Sequence, residues 1–201
     1  MDQHTLARVN LFALLRCLED LPAVDAAARA IAGGKAETIQ FTVGGVGAAR
    51  LAIGGGRIEF LPGPGGKSIH LWFPKAEALN ALFAGKGSPI PLKGLTKIAY
   101  LKGPFTTLTE RLGYYLRAKP ELLADKGFKE ANASLSLRAA VYALAEIGNS
   151  DREGRLNAAR MPDGEILLAA KGGPELTLEA KEGKLACRKG PPVRLRARMV
   201  F

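Results

Sequence analysis

Two hydrophobic periods alternate along the chain and divide it into helical and extended stretches. From Thr5 to Leu18, apolar residues recur every three or four positions, which predicts an amphipathic helix. After Pro22, a second, alanine-rich helix is predicted from Val24 to Ala32, where Gly33-Gly34 ends it. From Ile39 the period changes to two, which is typical of strands with one buried face.

Four short strands are predicted between residues 39 and 73, joined by glycine-rich turns. The pattern indicates an antiparallel β-meander with one apolar face and one polar face. The residues predicted to share the apolar face are Ile39, Phe41, Val43, Leu51, Ile53, Ile58, Phe60, Ile69, Leu71 and Phe73.

Helices are predicted to cover the apolar face of this sheet. Pro74 suits the first turn of a helix, and the helix Phe105–Arg117 carries an apolar stripe. The proline-rich segment Ser88–Gly94 is interpreted as a crossing connection between helices. The predicted helices are 76–84, Phe105–Arg117, Glu121–Asp125 and about Ala131–Ile147.

The last fifty residues are again predicted to be mostly extended, and their turns contain PDG, KGGP, KEG and KGPP. Residues 175–190 and residues 50–63 share an alternating strand, a glycine turn, a basic residue and a second alternating strand. This likeness arises from a degenerate internal repeat or from the general likeness of antiparallel meanders. The candidate strands are Leu156–Ala158, Glu165–Ala170, Glu175–Ala180, Lys184–Arg188 and Val193–Val200.

These elements predict an α+β fold in two units. Residues 1–125 form a unit of N-terminal helices, a four-stranded antiparallel meander and helices packed on one face. Residues 126–201 form a second unit, a helix followed by a second meander. The strands of this second meander pair within one chain or across a two-fold axis, which leaves a homo-oligomer open.

The GGKS stretch at residues 65–68 is similar to the end of a phosphate-binding loop. The full motif requires a glycine where this chain has Leu61, and a helix directly after the serine. Here Ser68 is followed by the alternating, β-forming residues 69–73 and then by Pro74. We interpret the stretch as a hairpin turn without a nucleotide.

Charge and composition limit the classes of partner and activity that this chain is expected to have. The net charge of +10 favours an acidic partner, namely nucleic acid, an anionic lipid surface or a phosphate-bearing ligand, or indicates only a basic solvated surface. Cys17 and Cys187 are far apart in sequence, which suits a reducing cytoplasm and predicts no metal site. With only His4 and His70, and no catalytic motif, we expect no catalytic residues, no cofactor and no enzyme activity.

The order and spacing of the elements from about residue 38 to 117 resemble those of the sterol carrier protein 2 (SCP2) domain family. The resemblance rests on the glycine hairpin Gly55–Ile58, the helix Leu79–Gly87, and the lysine-glycine segments Leu92–Gly94 and Leu101–Gly103. It implies a sheet with helices on one face that enclose an apolar tunnel for a fatty acyl chain, an acyl-CoA or a sterol. This chain continues about 80 residues beyond that region.

With this resemblance, the leading hypothesis is a cytoplasmic, non-catalytic protein for lipid binding or transfer. Its partners would be a lipid or another hydrophobic small molecule and an anionic membrane surface. The residues expected to line the cavity are Phe41, Phe60, Phe73, Leu79, Leu82, Phe83, Leu108, Leu112 and Tyr115.

Two other functions compete with lipid binding. The basic C-terminal sheet favours a polyanion binder, but residues 181–199 contain no aromatic side chain for base stacking, so nucleic acid is the weaker hypothesis. The third hypothesis is a partner-binding subunit whose fold holds no ligand.

The C-terminal sequence VRLRARMVF alternates arginine with apolar residues. As a strand, it would place Arg194, Arg196 and Arg198 on one face and apolar side chains on the other. Such a face is a solvated edge that discourages aggregation, or a stripe that docks an anion, either membrane phosphate or an acidic partner.

Overall fold

The computed structural model describes residues 1–201 and has an α+β fold with two mixed β-sheets. The helices are α1 (Gln3–Arg8), α2 (Leu21–Val24), α3 (Ala26–Ala32), α4 (Ala76–Phe83), α5 (Ile98–Tyr100), α6 (Thr106–Leu116), α7 (Lys126–Ser150) and α8 (Arg152–Arg160). The strands are β1 (Glu37–Val43), β2 (Gly47–Gly54), β3 (Arg57–Pro62), β4 (Ile69–Phe73), β5 (Ile90–Lys93), β6 (Gly164–Ala169), β7 (Glu175–Lys181), β8 (Lys184–Lys189) and β9 (Leu195–Val200).

Short π- and 3-10-helical turns extend several of these helices. The predicted helix Thr5–Leu18 runs as α1, a π-helical turn (Val9–Leu14) and a 3-10 turn (Leu15–Glu19). A π-helical turn (Leu101–Phe105) joins α5 to α6 in the same way. The apolar spacing therefore located these helices, although the hydrogen-bond period changes along them.

The first sheet has the strand order β3-β2-β1-β4-β5, and its first three strands form the predicted antiparallel meander. The register sets Ile39 beside Leu51 and Ile53 beside Ile58, so the apolar residues share one face. Of the ten predicted apolar-face residues, only Phe60 is not fully buried. The predicted face of this sheet is confirmed.

The prediction of a fully antiparallel meander is wrong at the fourth strand. β4 pairs with β1 in parallel, with Ile39 beside Ile69 and Val43 beside Phe73. A strand that alternates apolar and polar residues has the same pattern whether its neighbour is parallel or antiparallel. The pattern therefore located β4 and its buried face, but it contained no information on its direction.

The GGKS stretch lies in the connection that makes this parallel pairing possible, and it is not the predicted hairpin turn. After β3 the chain crosses the polar face of the sheet and reaches the free edge of β1. The Gly65 N–H donates to Gln40 Oε1 (3.1 Å), and Arg50 Nε donates to the Gly63 carbonyl oxygen (3.2 Å). These two side chains hold the connection against the sheet. Ser68 is the last residue of the connection before β4.

The second sheet has the strand order β8-β7-β6-β9. β6, β7 and β8 form an antiparallel meander, and β9 pairs with β6 in parallel. The prediction that all strands of this sheet are antiparallel is therefore wrong at β9, as it is at β4.

The strands β1 to β4 of the first sheet correspond to β6 to β9 of the second. Each sheet has an antiparallel meander, a crossover connection, and a fourth strand parallel to the first. Each crossover is also anchored by a side chain of the first strand: Gln40 accepts from Gly65 N–H, and Glu165 Oε2 accepts from Val193 N–H and Arg194 N–H (both 2.6 Å). This correspondence is the arrangement that a degenerate repeat predicts.

Two segments differ from their predicted states. Leu156–Ala158 was expected to be a strand, but it lies in α8, whose N-terminus is capped by Asp151. The crossing segment Ser88–Gly94 contains β5, a short edge strand. Proline residues suit an edge strand because it needs hydrogen-bond donors on only one side.

One hydrophobic core extends through residues 1–125 and 126–201 and includes buried side chains from Ala7 to Leu185. Ion pairs also join the two parts, such as Arg8 with Glu146 (2.7 Å) and Arg138 with Asp20 (3.1 Å). The two helix-and-sheet units therefore pack as a single body.

Candidate functional site

The nine residues predicted to line a lipid cavity lie in the core or against it. Three of them, Phe60, Leu82 and Phe83, are half-buried and pack against the core cluster. The Phe41 ring lies 5.8 Å from the Phe105 ring, so aromatic side chains occupy the space between β1 and the helix above it. The six residues that are buried in the core are Phe41, Phe73, Leu79, Leu108, Leu112 and Tyr115.

Two open clefts of the protein are lined mainly by polar or small residues, and none of these nine residues lines either of them. One cleft, of about 310 Å³, lies at the end of β1 and β2 beside Glu37, Arg57, Glu59 and Ser68. The other, of about 440 Å³, lies beside the turn between β7 and β8. The nine residues therefore lie away from both of these clefts, and six of them are buried in the core.

Glu37 is the centre of a polar cluster in the first cleft. Ser68 Oγ donates to Glu37 Oε2 (2.6 Å), and Lys97 Nζ donates to the same oxygen. Burial by itself would raise the pKa of the Glu37 carboxyl, but the hydrogen bonds from Lys97 and Ser68 and the charges of Lys97 and Lys35 lower it below its usual range. Since a carboxylate with a lowered pKa is a weak base, the cluster is suited to anchoring Lys97 and not to activating the Ser68 hydroxyl.

The Glu37 cluster predicts a specific acid sensitivity. The folded pKa of Glu37 is lower than the unfolded one, so its contribution to stability is present above the unfolded pKa and is lost as the pH falls through the folded value. We expect Glu37→Gln to lower the free energy of unfolding by about 2 kcal/mol at pH 7, because charged hydrogen bonds are lost. Urea denaturation measures this loss.

Glu59→Gln is the matched control for Glu37→Gln, since Glu59 borders the same cleft but is exposed and has no ion pair. We expect the control to stay within about 0.5 kcal/mol of the wild type. Equal losses for the two variants would contradict an anchoring role for Glu37.

His70 lies on the polar face of the first sheet. Its Nε2 lies 2.9 Å from Thr42 Oγ1 and 3.3 Å from Gln40 Nε2. Burial, together with the nearby charge of Lys67, lowers the pKa of His70. No group of three or more His, Cys, Asp or Glu side chains is placed to hold a metal ion.

Exposed apolar side chains are concentrated in two segments. Of the fourteen exposed large hydrophobic residues, nine lie at positions 90–98 and 193–201. We name the first group the 85–102 surface and define it by the exposed side chains Ile90, Leu92, Leu95, Ile98, Lys86, Lys93 and Lys102.

The 85–102 surface is held against the edge of the first sheet. β5 pairs with β4, and Gly94 then turns the chain into a 3-10 turn (Leu95–Lys97) with φ +88°. A Cβ at Gly94 would lie 3.0 Å from the Ser68 carbonyl oxygen, so the turn requires glycine. Lys97 binds Glu37, which anchors the far side of the turn. Leu92 and Leu95 are thus held 56% and 61% exposed on an ordered backbone.

The strand β9 carries Arg196 and Arg198, two of the three predicted anion-contacting arginines, and Arg194 directly precedes it. β9 starts at Leu195, and its register with β6 shifts between Glu165 and Ile166, so the alternation breaks at Arg196. All residues of β9 are exposed, its apolar side chains included. Arg194, Arg196 and Arg198 form no ion pair.

Comparisons with protein-family models, with curated proteins and with solved structures give no match to this chain. They therefore give no support to the resemblance to the SCP2 family. No helix is both long enough and apolar enough to cross a bilayer.

The sequence interpretation missed the 85–102 surface, although a signal was present. Residues 78–109 contain four lysines and no acidic residue, and apolar residues alternate with lysines after Pro89. This composition is typical of a surface that meets an anionic interface. Ile90 and Leu92 are exposed because they lie on the edge strand β5. This strand was not predicted, because prolines in its sequence are typical of a connecting segment.

Proposed function

We propose that this protein binds lipid at an anionic membrane surface, through the 85–102 surface. The observation that carries the proposal is the combination of four exposed large aliphatic side chains with three exposed lysines in a segment, residues 78–109, that contains no acidic residue. Contiguous exposed apolar side chains beside basic groups are a property of proteins that insert shallowly into the headgroup region.

The electrostatic and hydrophobic contributions to membrane binding are of a size that gives reversible binding. Each lysine near an anionic bilayer contributes about 1 kcal/mol, and this attraction weakens with salt. Leu92 and Leu95 add hydrophobic transfer of about 25 cal/mol per Å² of apolar surface removed from water. Both contributions are needed, because a few lysines alone bind weakly at physiological salt.

An acyl chain held inside the protein is a separate hypothesis, and it is not part of this proposal. Phe41, Phe73 and Leu108 are buried in the core, at the place where the chain would lie. A ligand there would have to displace close-packed side chains.

The test is co-sedimentation with vesicles of phosphatidylglycerol and phosphatidylcholine. We expect Leu92→Glu combined with Leu95→Glu to weaken binding at least about tenfold, because two inserted side chains become charged. The matched control is Leu144→Glu combined with Leu156→Glu, two leucines on helices that are 46% and 48% exposed. The control is expected to bind like the wild type.

A second arm tests the charge. Lys86→Gln combined with Lys102→Gln should weaken binding to anionic vesicles and reduce its dependence on salt. Wild-type binding that is absent, or that is equal for neutral and anionic vesicles, would contradict the proposal. Loss of binding in the leucine control as well would show that the effect is not local to the 85–102 surface.

A further inference from the structure

β9 is the open edge of the second sheet, whereas its counterpart in the first sheet is covered. β4 and β9 are the fourth strands of the two sheets, each parallel to the first strand of its meander. β4 has β5 on its outer side, in antiparallel pairing, and its residues are buried or half-buried. β9 has no strand on its outer side and is exposed throughout. The second sheet therefore lacks the position that β5 fills in the first.

The backbone of β9 has free hydrogen-bonding groups at this edge. Phe201 N–H donates to the Ala169 carbonyl oxygen, and Phe201 accepts from Lys171 N–H (both 2.9 Å), so Phe201 bonds toward β6. In a parallel pair, alternate residues of a strand bond to the same neighbour. Arg198 and Val200 therefore direct their N–H and C=O groups to the open side.

The charge along this edge has one sign. Residues 192–201 contain three arginines and no acidic side chain, and none of the three arginines forms an ion pair. The nearest acidic group on β6, Glu165, already accepts from Val193 N–H and Arg194 N–H and pairs with Arg188 (2.7 Å).

Apolar side chains accompany the arginines. The register sets Ala197 beside Ile166 and Met199 beside Leu168, on the face of the sheet that packs toward the core, yet Met199 is half exposed. Arg198 lies beside Leu167 on the other face. A strand added to β9 would thus meet Ala197 and Met199 on one face, and Arg198 together with Val200 on the other.

We propose that the open edge of β9 binds an extended acidic segment of another protein, which adds to the second sheet as a fifth strand in the position that β5 has in the first. The segment would alternate acidic residues, opposite Arg196 and Arg198, with apolar residues beside Ala197 and Met199. A second copy of this chain is disfavoured as the occupant, because pairing β9 with itself would bring two sets of arginines together. This site is separate from the 85–102 surface.

The experiment measures binding of a fluorescein-labelled peptide of about seven residues, in which Glu and Val alternate, by fluorescence anisotropy. We expect saturable binding by the wild type. Two comparison peptides separate the contributions: one with Lys in place of Glu, and one with a central proline that keeps the charge but removes a strand hydrogen bond. Both should bind at least about tenfold more weakly.

Two variants test the protein side. Val200→Pro removes an outward N–H while the neighbouring residues keep their bonds to β6, and it should weaken binding about tenfold or more. Arg194→Gln, Arg196→Gln and Arg198→Gln together should also weaken it about tenfold. The control replaces Arg152, Arg155 and Arg160, three exposed and unpaired arginines on α8, by glutamine and should bind like the wild type.

Several results would overturn the proposal. If the proline-interrupted and uninterrupted peptides bound with equal affinity, binding would depend on charge attraction alone and not on the addition of a strand. Absence of saturable binding by the Glu-Val peptide, together with arginine-dependent binding to anionic vesicles, would assign the edge to membranes. A dimer in analytical ultracentrifugation that Val200→Pro abolishes would assign the edge to a second copy.

Discussion

Replacement of Asp25 by alanine is expected to lower the free energy of unfolding by about 4 kcal/mol. The Asp25 side chain is 1% exposed and joins two helices. Its Oδ1 accepts from Ala28 N–H (2.8 Å) and caps α3, while its Oδ2 accepts from Arg111 Nε (2.7 Å) and Tyr115 OH (3.2 Å) of α6. Alanine would leave Ala28, Arg111 and Tyr115 without these partners.

The acid dependence of this contribution has a defined sign. Burial by itself would raise the pKa of Asp25, but hydrogen bonds from Arg111 and Ala28 lower it below its usual range. The stabilisation is therefore complete above the unfolded pKa, near 3.8, and is lost as the pH falls through the folded value. Urea denaturation at pH 7 and at pH 3 measures both effects.

Asp151→Ala is the matched control for Asp25→Ala. Asp151 caps α8 through Glu153 N–H (3.1 Å) and Gly154 N–H (3.3 Å), but it has no ion pair. We expect its loss to cost about 1 kcal/mol. Equal costs for the two variants would show that Asp25 acts only as a cap and does not hold α3 to α6.

Replacement of Phe41 by alanine is expected to lower the free energy of unfolding by about 3–5 kcal/mol. Phe41 is buried, lies beside Leu71 across the β1–β4 pair, and packs against Phe105. Its removal would leave a void between the sheet and the helices, with loss of transfer energy and of packing contacts. Urea denaturation provides the measurement, and Phe201→Ala, at a site that is 68% exposed, is the control.

The Phe41 variant also separates a packed core from a lipid cavity. If Phe41 lined a cavity for an acyl chain, its truncation would cost little stability and would enlarge the space for a fluorescent acyl probe. We expect the opposite result, a large loss of stability and no saturable probe binding by the wild type. If the Phe41 variant lost less than about 1 kcal/mol of unfolding free energy and bound the acyl probe more tightly than the wild type, the hypothesis of an internal lipid cavity would be supported instead.

The two proposed binding surfaces differ in their proposed partners and have separate tests. The 85–102 surface combines leucines with lysines and is proposed to meet a bilayer, whereas β9 offers a backbone edge that only an extended chain can complete. Leu92→Glu with Leu95→Glu should spare peptide binding, and Val200→Pro should spare vesicle binding.

The amino-acid pattern alone located the strands β1 to β4 and the buried face of the first sheet. The alternation from Ile39 to Phe73 set the residues that turn inward, because side chains of a strand alternate between its faces. The apolar spacing in Phe105–Arg117 located the helix that covers this face. The likeness of residues 50–63 and 175–190 also anticipated that the two sheets have matching hairpins.

Only the tertiary structure decided the direction and the exposure of the outer strands. β4 is parallel to β1 and β9 is parallel to β6 because crossover connections carry the chain over the sheet, and a period of two is the same for either direction. The residues 156–158 became helical because Asp151 caps α8, a local start signal stronger than a short apolar pattern. Whether an alternating strand such as β9 is buried depends on what packs over it, and that is a property of the whole fold and not of the strand.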